Sequence, residues 1–272
     1  MNVSIKKSPT AGRVNFFVWK TLPEVIRYRT SKYGTKSNRW KTLHHNQGGG
    51  APTNRSKILT AETLRIHPDE PEPGLINYVV SSLSSGHVVA LPTDTFYGLA
   101  VDPVNLRAVE RIYEIKTRAR HKPLSLLIAE VAQAYELARQ LDTAFDRLAE
   151  KFWPGPLTIV VKAGSKLPLR VTANTGNLAL RVPEAAIPRA VVARLGLPIT
   201  ATSANLSGQP ECTTPLGVRE QLGDKLPLIV DGGPTARTTP TTIVDLSGGG
   251  NSWMILREGA IPTHEIALAL QH

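Results

Sequence analysis

One cysteine, Cys212, stands in 272 residues, which excludes an intrachain disulfide framework and any cysteine-rich zinc site. No run of 18 apolar residues occurs, so no segment reads as a membrane-spanning helix. Familiar catalytic signatures are missing as well. There is no G-x-x-x-x-G-K-[ST] phosphate loop, no G-x-G-x-x-G after a strand, no H-E-x-x-H, no C-x-x-C and no G-x-S-x-G elbow. The seven histidines form no metal-ligand pattern, so no metal-ligating residue is assigned. Asn205-Leu206-Ser207 matches a glycosylation pattern, but no secretory signal accompanies it.

Acids are scarce in one place only. Residues 1–57 hold 12 Lys/Arg against the single acid Glu24, a net +11, while residues 58–272 hold 20 against 21, a net −1. The overall charge of +10 therefore belongs to a leader, and any RNA contact suggested by basic charge is expected there. The leader has no steady hydrophobic period and ends in Gly48-Gly49-Gly50. Phe16-Phe17-Val18-Trp19 is too short for a secretory core. A disordered basic tail, an upstream stretch outside the working protein, and an organelle transit peptide all fit. Without a transit peptide the expected location is cytoplasmic; with one it is an organelle matrix. Residues 58–272 are expected to form one domain.

That domain is organised around residues 88–122. Val88 to Leu91 read as a short buried strand that Pro92 must end. Thr93-Asp94-Thr95 then places polar side chains at the mouth of the strand, and Gly98 lets the backbone turn or pass close to something. Asp102 and Asn105 are N-cap candidates for a helix from about Val104 to Lys116. Lys116, Arg118, Arg120 and Lys122 follow two apart, and in an extended segment they would form a rail of cations suited to a polyphosphate. A helix-end charge run complementing the macrodipole explains the same residues.

Elsewhere, helices are expected from about 75 to a close near Gly86, and over 131–140, 143–152, 187–195 and 261–270. Strands are expected over 58–65, 124–128, 157–162, 178–182, 198–202, 228–231, 242–246 and 253–257. Trp153-Pro154-Gly155-Pro156 is a rigid turn. Strands and helices alternate without regular βαβ units, which implies an α/β domain with a mixed, twisted sheet.

PTDTFYGLA (92–100), KTR (116–118), FWPGPLT (152–158), SAN (203–205) and LREG (256–259) occur in this order. The set resembles the YrdC-like family, the threonylcarbamoyl-AMP synthases, over roughly residues 58–266. The resemblance implies an open α/β sheet around a concave, positively charged cleft, in the short form without an extra C-terminal domain. It implies synthesis of L-threonylcarbamoyl-adenylate from L-threonine, bicarbonate and ATP with release of pyrophosphate, serving tRNA A37 modification through separate transfer proteins. Mg2+ is expected to accompany ATP.

By the same resemblance Lys116, Arg118, Ser203 and Asn205 are the catalytic set. Arg118, Lys122, Asn177, Ser203 and Arg257 would contact ATP, and Thr95, Arg181 and Thr241 would hold threonine. Leu127 would offer an apolar contact where some relatives have a polar one. Each has a structural counterpart: an Arg181–Glu184 ion pair, an Arg257–Glu258 pair, and helix capping by Ser203 or Asn205. Two other functions stay open, a non-catalytic RNA-binding module and the carbamoyl chemistry of hydrogenase-maturation relatives. The latter embed this domain in longer chains with acylphosphatase and zinc modules.

Overall fold

The computed structural model describes residues 61–249 and 252–271; the basic leader lies outside them. Among the described residues ten strands form one mixed sheet, in chain order β1 (Glu62–Arg65), β2 (Val89–Leu91), β3 (Gly98–Ala100), β4 (Ser125–Leu127), β5 (Leu157–Lys162), β6 (Asn177–Arg181), β7 (Ile199–Ser203), β8 (Leu228–Asp231), β9 (Thr242–Asp245) and β10 (Met254–Arg257). Their spatial order is β1-β8-β2-β3-β7-β4-β6-β5-β9-β10. The pairs β1–β8, β2–β8, β4–β6 and β5–β9 run parallel, and the rest are antiparallel.

Seven helices among the described residues flank the sheet: α1 (Pro73–Ser84), α2 (Leu106–Lys116), α3 (Val131–Leu137), α4 (Thr143–Phe152), α5 (Ala186–Leu195), α6 (Pro215–Leu222) and α7 (Thr263–Leu270). Strand side chains alternate between two apolar layers, as the period of two requires. Ala90, Leu126, Ile159, Leu180 and Ile229 enter a core with α2, α3, α4, α6 and α7. Val89, Leu91, Leu127 and Val230 point the other way, to a smaller core under α1 and α5. Two helices do not reach across ten strands, so part of the second face stays bare.

Local chemistry sets the ends. The Asn105 side chain caps α2 by accepting from the Ala108 N–H at 3.2 Å, whereas Asp102 turns the preceding loop by accepting from Val104 N–H at 2.9 Å. The helix therefore starts two residues later than expected, at Leu106. Gly98, expected either to turn or to let the backbone pass close to something, makes no turn and opens β3 in extended geometry, paired with Ser203 and lining the cleft. Neither β3 nor α6 was expected. The three residues of β3 are too few to show a period, and α6 buries only Val218 and Leu222.

Phe145 of α4 is fully buried and meets Tyr135 and Trp153 edge-on, with ring centroids 5.9 and 5.6 Å away. Phe145→Ala is expected to lower the unfolding free energy by about 3–5 kcal/mol, because transfer and cavity costs add. Urea denaturation reads this directly, and a loss below about 1 kcal/mol would contradict the packing described.

Candidate functional site

The bare part of the sheet is the floor of a cleft of about 380 Å³. Floor positions are alternate strand residues, mostly small or polar: Gly98, Ser125, Thr158, Ala179 and Ala201, with Leu127 and Val160 between them. Arg118, Lys122, Arg181 and Arg257 contribute four cations, and Glu211 one carboxylate. Leu127, expected as an apolar contact, is part of this floor.

At one end Arg181 is 5% exposed. Its Nε donates to Gly155 O at 2.9 Å and its Nη1 to Thr95 Oγ1 at 3.1 Å. Nη2 lies 2.6 Å from Asp94 Oδ1, a short buried ion pair. The carboxylate partner is thus Asp94, and Glu184 pairs with Arg237 instead. A side chain at Gly155 would put its Cβ 2.5 Å from Phe152 O, so only glycine brings this carbonyl to Arg181.

The hydroxyls there have an order. Thr93 Oγ1 donates to Phe96 O at 2.7 Å, so in its 3.2 Å contact with Thr95 the Thr95 hydroxyl is the donor. Thr95 accepts from Arg181 as well, which leaves it one lone pair for a ligand. Thr241 is the complement. It accepts from Arg257 Nη2 at 2.8 Å and from Thr158 Oγ1 at 3.2 Å, so its own O–H remains to be donated. Gly259 lets this wall close, because a Cβ there would come within 2.6 Å of the Thr241 carbonyl carbon. Glu258 accepts from Thr263 and does not pair with Arg257.

The expected rail of four cations is not extended. Thr117 adopts a left-handed conformation, φ 50°, and ends α2, after which Ala119 to Lys122 make a turn closed by Lys122 N–H to Ala119 O at 3.1 Å. A β-branched residue rarely adopts that geometry, and here it sends Lys116 and Arg118 in different directions. Arg120 pairs with Glu110 outside the cleft. Arg118 and Lys122 reach the cleft, and Arg118 Nε is buried without a hydrogen-bond partner. Among the described residues no carboxylate lies within 4 Å of Arg118, Lys122 or Arg257.

Lys116 does not line the cleft. It is 2% exposed and lies beneath the Ser203–Asn205 turn. Its Nζ donates to Asn205 O at 2.8 Å, to Asn205 Oδ1 at 2.9 Å, and to Ser203 O. Ser203 Oγ also donates to Asn205 Oδ1, at 2.7 Å. Neither residue caps a helix; Thr214 caps α6. Burial, and then the nearby Arg118 guanidinium, pull the Lys116 pKa down to about 8.

A model of the Sua5_yciO_yrdC family, described as "Telomere recombination", matches residues 81–259. The chain belongs to this family. It is 38% identical over 205 residues to the threonylcarbamoyl-AMP synthase of Bacillus subtilis, covering 75% of this chain and 58% of that protein. It is 34% identical to the synthase of Vibrio campbellii, covering 66% and 97%. The crystal structure of Sua5 from P. abyssi complexed with L-threonine superposes with a TM-score of 0.74 at 32% identity, covering 78% of this chain and 61% of that one. The chain thus spans less than two thirds of its Bacillus and Pyrococcus relatives.

Within this family member, the fold brings Thr95, Arg118, Lys122, Arg181, Ser203, Thr241 and Arg257 to one cavity, from positions up to 162 residues apart. It leaves out Lys116 and Asn205, which hold the floor turn from below, and Asn177. Asn177 shares a strand face with Ala179 and Arg181 but bonds Ser247 Oγ at 3.0 Å beyond the cavity. Asp94, Gly155, Glu211 and Arg237 were not singled out as site residues. Asp94 lay in view between two threonines, but its partners are 87 and 143 residues away.

Because folding lowers the Lys116 pKa from 10.5 to about 8, the unfolded chain binds more protons between those values. The burial penalty of the charged form is then progressively relieved as pH rises from about 8 to 10.5. Stability of the native chain relative to Lys116→Met should therefore rise across that window and stay level below it. Denaturation at stepped pH checks this, and a flat difference across the window would contradict it.

Proposed function

We propose that the chain synthesises L-threonylcarbamoyl-adenylate from L-threonine, bicarbonate and ATP, releasing pyrophosphate. The observation that carries this is three cations, Arg118, Lys122 and Arg257, facing one cavity without carboxylate partners, opposite an arginine–hydroxyl seat at Arg181 and Thr95. Unpaired like charges in a shared hollow suit a polyphosphate, and arginine forks match phosphate geometry. The volume is at the lower end of the roughly 300–1,000 Å³ typical of small-molecule clefts. The names of the Bacillus and Vibrio relatives, and the threonine complex of the Pyrococcus protein, support the same reading.

In this scheme Arg181 receives the threonine carboxylate. Thr95 offers a lone pair to a donor on the amino acid, and Thr241 offers a proton to an acceptor. The threonine amine and bicarbonate condense with loss of water to a carbamate. A carbamate oxygen then attacks the α-phosphorus and the bond to pyrophosphate breaks. The nucleophile is already an anion, so the residues chiefly position and neutralise: Arg118, Lys122 and Arg257 take up phosphate charge. Ser203 borders the cleft with its proton committed to Asn205, and Lys116 and Asn205 set its position.

The triphosphate would bring Mg2+, which would supply charge neutralisation. Such ions are held through substrate phosphates and one or two carboxylates, and Glu211 is the cleft's carboxylate. The mixed anhydride is consumed at A37 of tRNA by separate transfer proteins, in the cytoplasm. No helix among the described residues is long and apolar enough to cross a membrane.

The native chain should release pyrophosphate only when threonine, bicarbonate and ATP are all present. Arg118→Ala should raise the KM for ATP about ten- to a hundredfold, as expected for losing charge-assisted hydrogen bonds, and leave threonine affinity unchanged. Threonine-independent release, or an unchanged ATP KM in the variant, would overturn the assignment.

A further inference from the structure

Asp94 is 4% exposed and does not line the catalytic cleft; it stands behind Arg181, against a separate cavity that Arg237 and Glu184 also border. Three groups converge on its carboxylate. Arg181 Nη2 lies 2.6 Å from Oδ1, Glu184 N–H donates to Oδ1 at 3.0 Å, and Arg237 Nη1 lies 3.4 Å from Oδ2. Arg237 also donates its backbone N–H to Asp94 O at 3.1 Å and pairs with Glu184 at 2.7 Å. It sits midway along the connection from β8 to β9, whose far end is Thr241. The near end is pinned where the Tyr97 hydroxyl donates to Gly233 O at 2.6 Å.

We infer that Asp94, docked by Arg237, is the positioning residue that fixes the rotation of the Arg181 guanidinium and so determines selectivity for a free carboxylate on the amino-acid substrate. This rests on the reading that Arg181 grips that carboxylate. The guanidinium is held on three sides by Gly155 O, Thr95 Oγ1 and Asp94. Only the Asp94 contact is ionic, and at 2.6 Å it is the shortest of the three. A planar fork recognises a planar carboxylate through its edge, so a small rotation removes the match. Arg237 lies outside the cleft and acts through Asp94. Because its connection ends in Thr241, the docking of that segment and the aim of Arg181 are one event.

A neutralising role for Asp94 makes the opposite prediction. If the carboxylate only offset the charge of Arg181, removing it would strengthen attraction to an anionic ligand. The experiment is calorimetric titration of the full chain, native and as Asp94→Asn or Arg237→Gln, with L-threonine, with L-threoninamide as a probe lacking the carboxylate, and with ATP. The native chain should prefer threonine to threoninamide. Asp94→Asn should weaken threonine about a hundredfold, the scale of a misplaced positioning group, and leave threoninamide and ATP unchanged. Arg237→Gln removes a half-exposed pair and should weaken threonine selectively by about fivefold.

Unchanged or tighter threonine binding by Asp94→Asn overturns the inference, as does an equal loss of threonine and threoninamide. Should Asp94→Asn fail to fold, Arg237→Gln decides alone, and equal affinities there sink the proposal. A native chain that does not distinguish threonine from threoninamide removes the carboxylate grip itself. A native chain that distinguishes them while both variants match it removes only the positioning role.

Discussion

A sheet that alternates side chains between two faces needs cover on both, and this one has five helices on one side and two on the other. Where cover is missing, the strands carry mostly small or polar groups, Ser125, Thr158, Ala179 and Ala201, beside the larger Leu127, Val160 and Ile243, while their neighbours Leu126, Ile159, Leu178 and Leu180 fill the opposite core. One constraint thus makes both the core and the hollow. The cleft needs no special domain; it is the face the helices do not reach.

Charge is then sorted by depth. Lys116 is buried, and its ammonium donates to three oxygens of the 203–205 turn. Arg181 is almost as deeply buried, with Asp94 behind it as its ionic partner. Arg118, Lys122 and Arg257 sit nearer solvent without carboxylates, where water can carry the cost of unpaired charge until an anion replaces it. This ordering separates the cation beneath the 203–205 turn from those that line the cleft.

Two glycines do steric work at opposite walls. Gly155 brings a carbonyl against Arg181, and Gly259 lets the 240–241 backbone close beside Arg257. Both belong to short motifs, FWPGPLT and LREG, in which their role is to leave room. Thr117 does the converse: its left-handed backbone turns the chain so that successive cations take different jobs.

Most regular elements were legible from residue order, because burial imposes its period locally. Residues 143–152 and 157–162 fall where their apolar spacing puts them, and Pro92 ends β2. The motif order also carried the family and most of the residues that meet in the cleft. Spacing failed where a backbone turn intervenes: Lys116 to Lys122 looked like one rail, yet Thr117 and the 119–122 turn distribute them. Only the tertiary structure could decide that Lys116 and Asn205 support the floor, that Asp94 and Arg237 stand behind Arg181, and that Arg118, Lys122 and Arg257 lack carboxylate partners. The reason is physical: periodicity is a property of neighbours along the chain, whereas charge compensation depends on distance in space between segments that sequence separation does not relate.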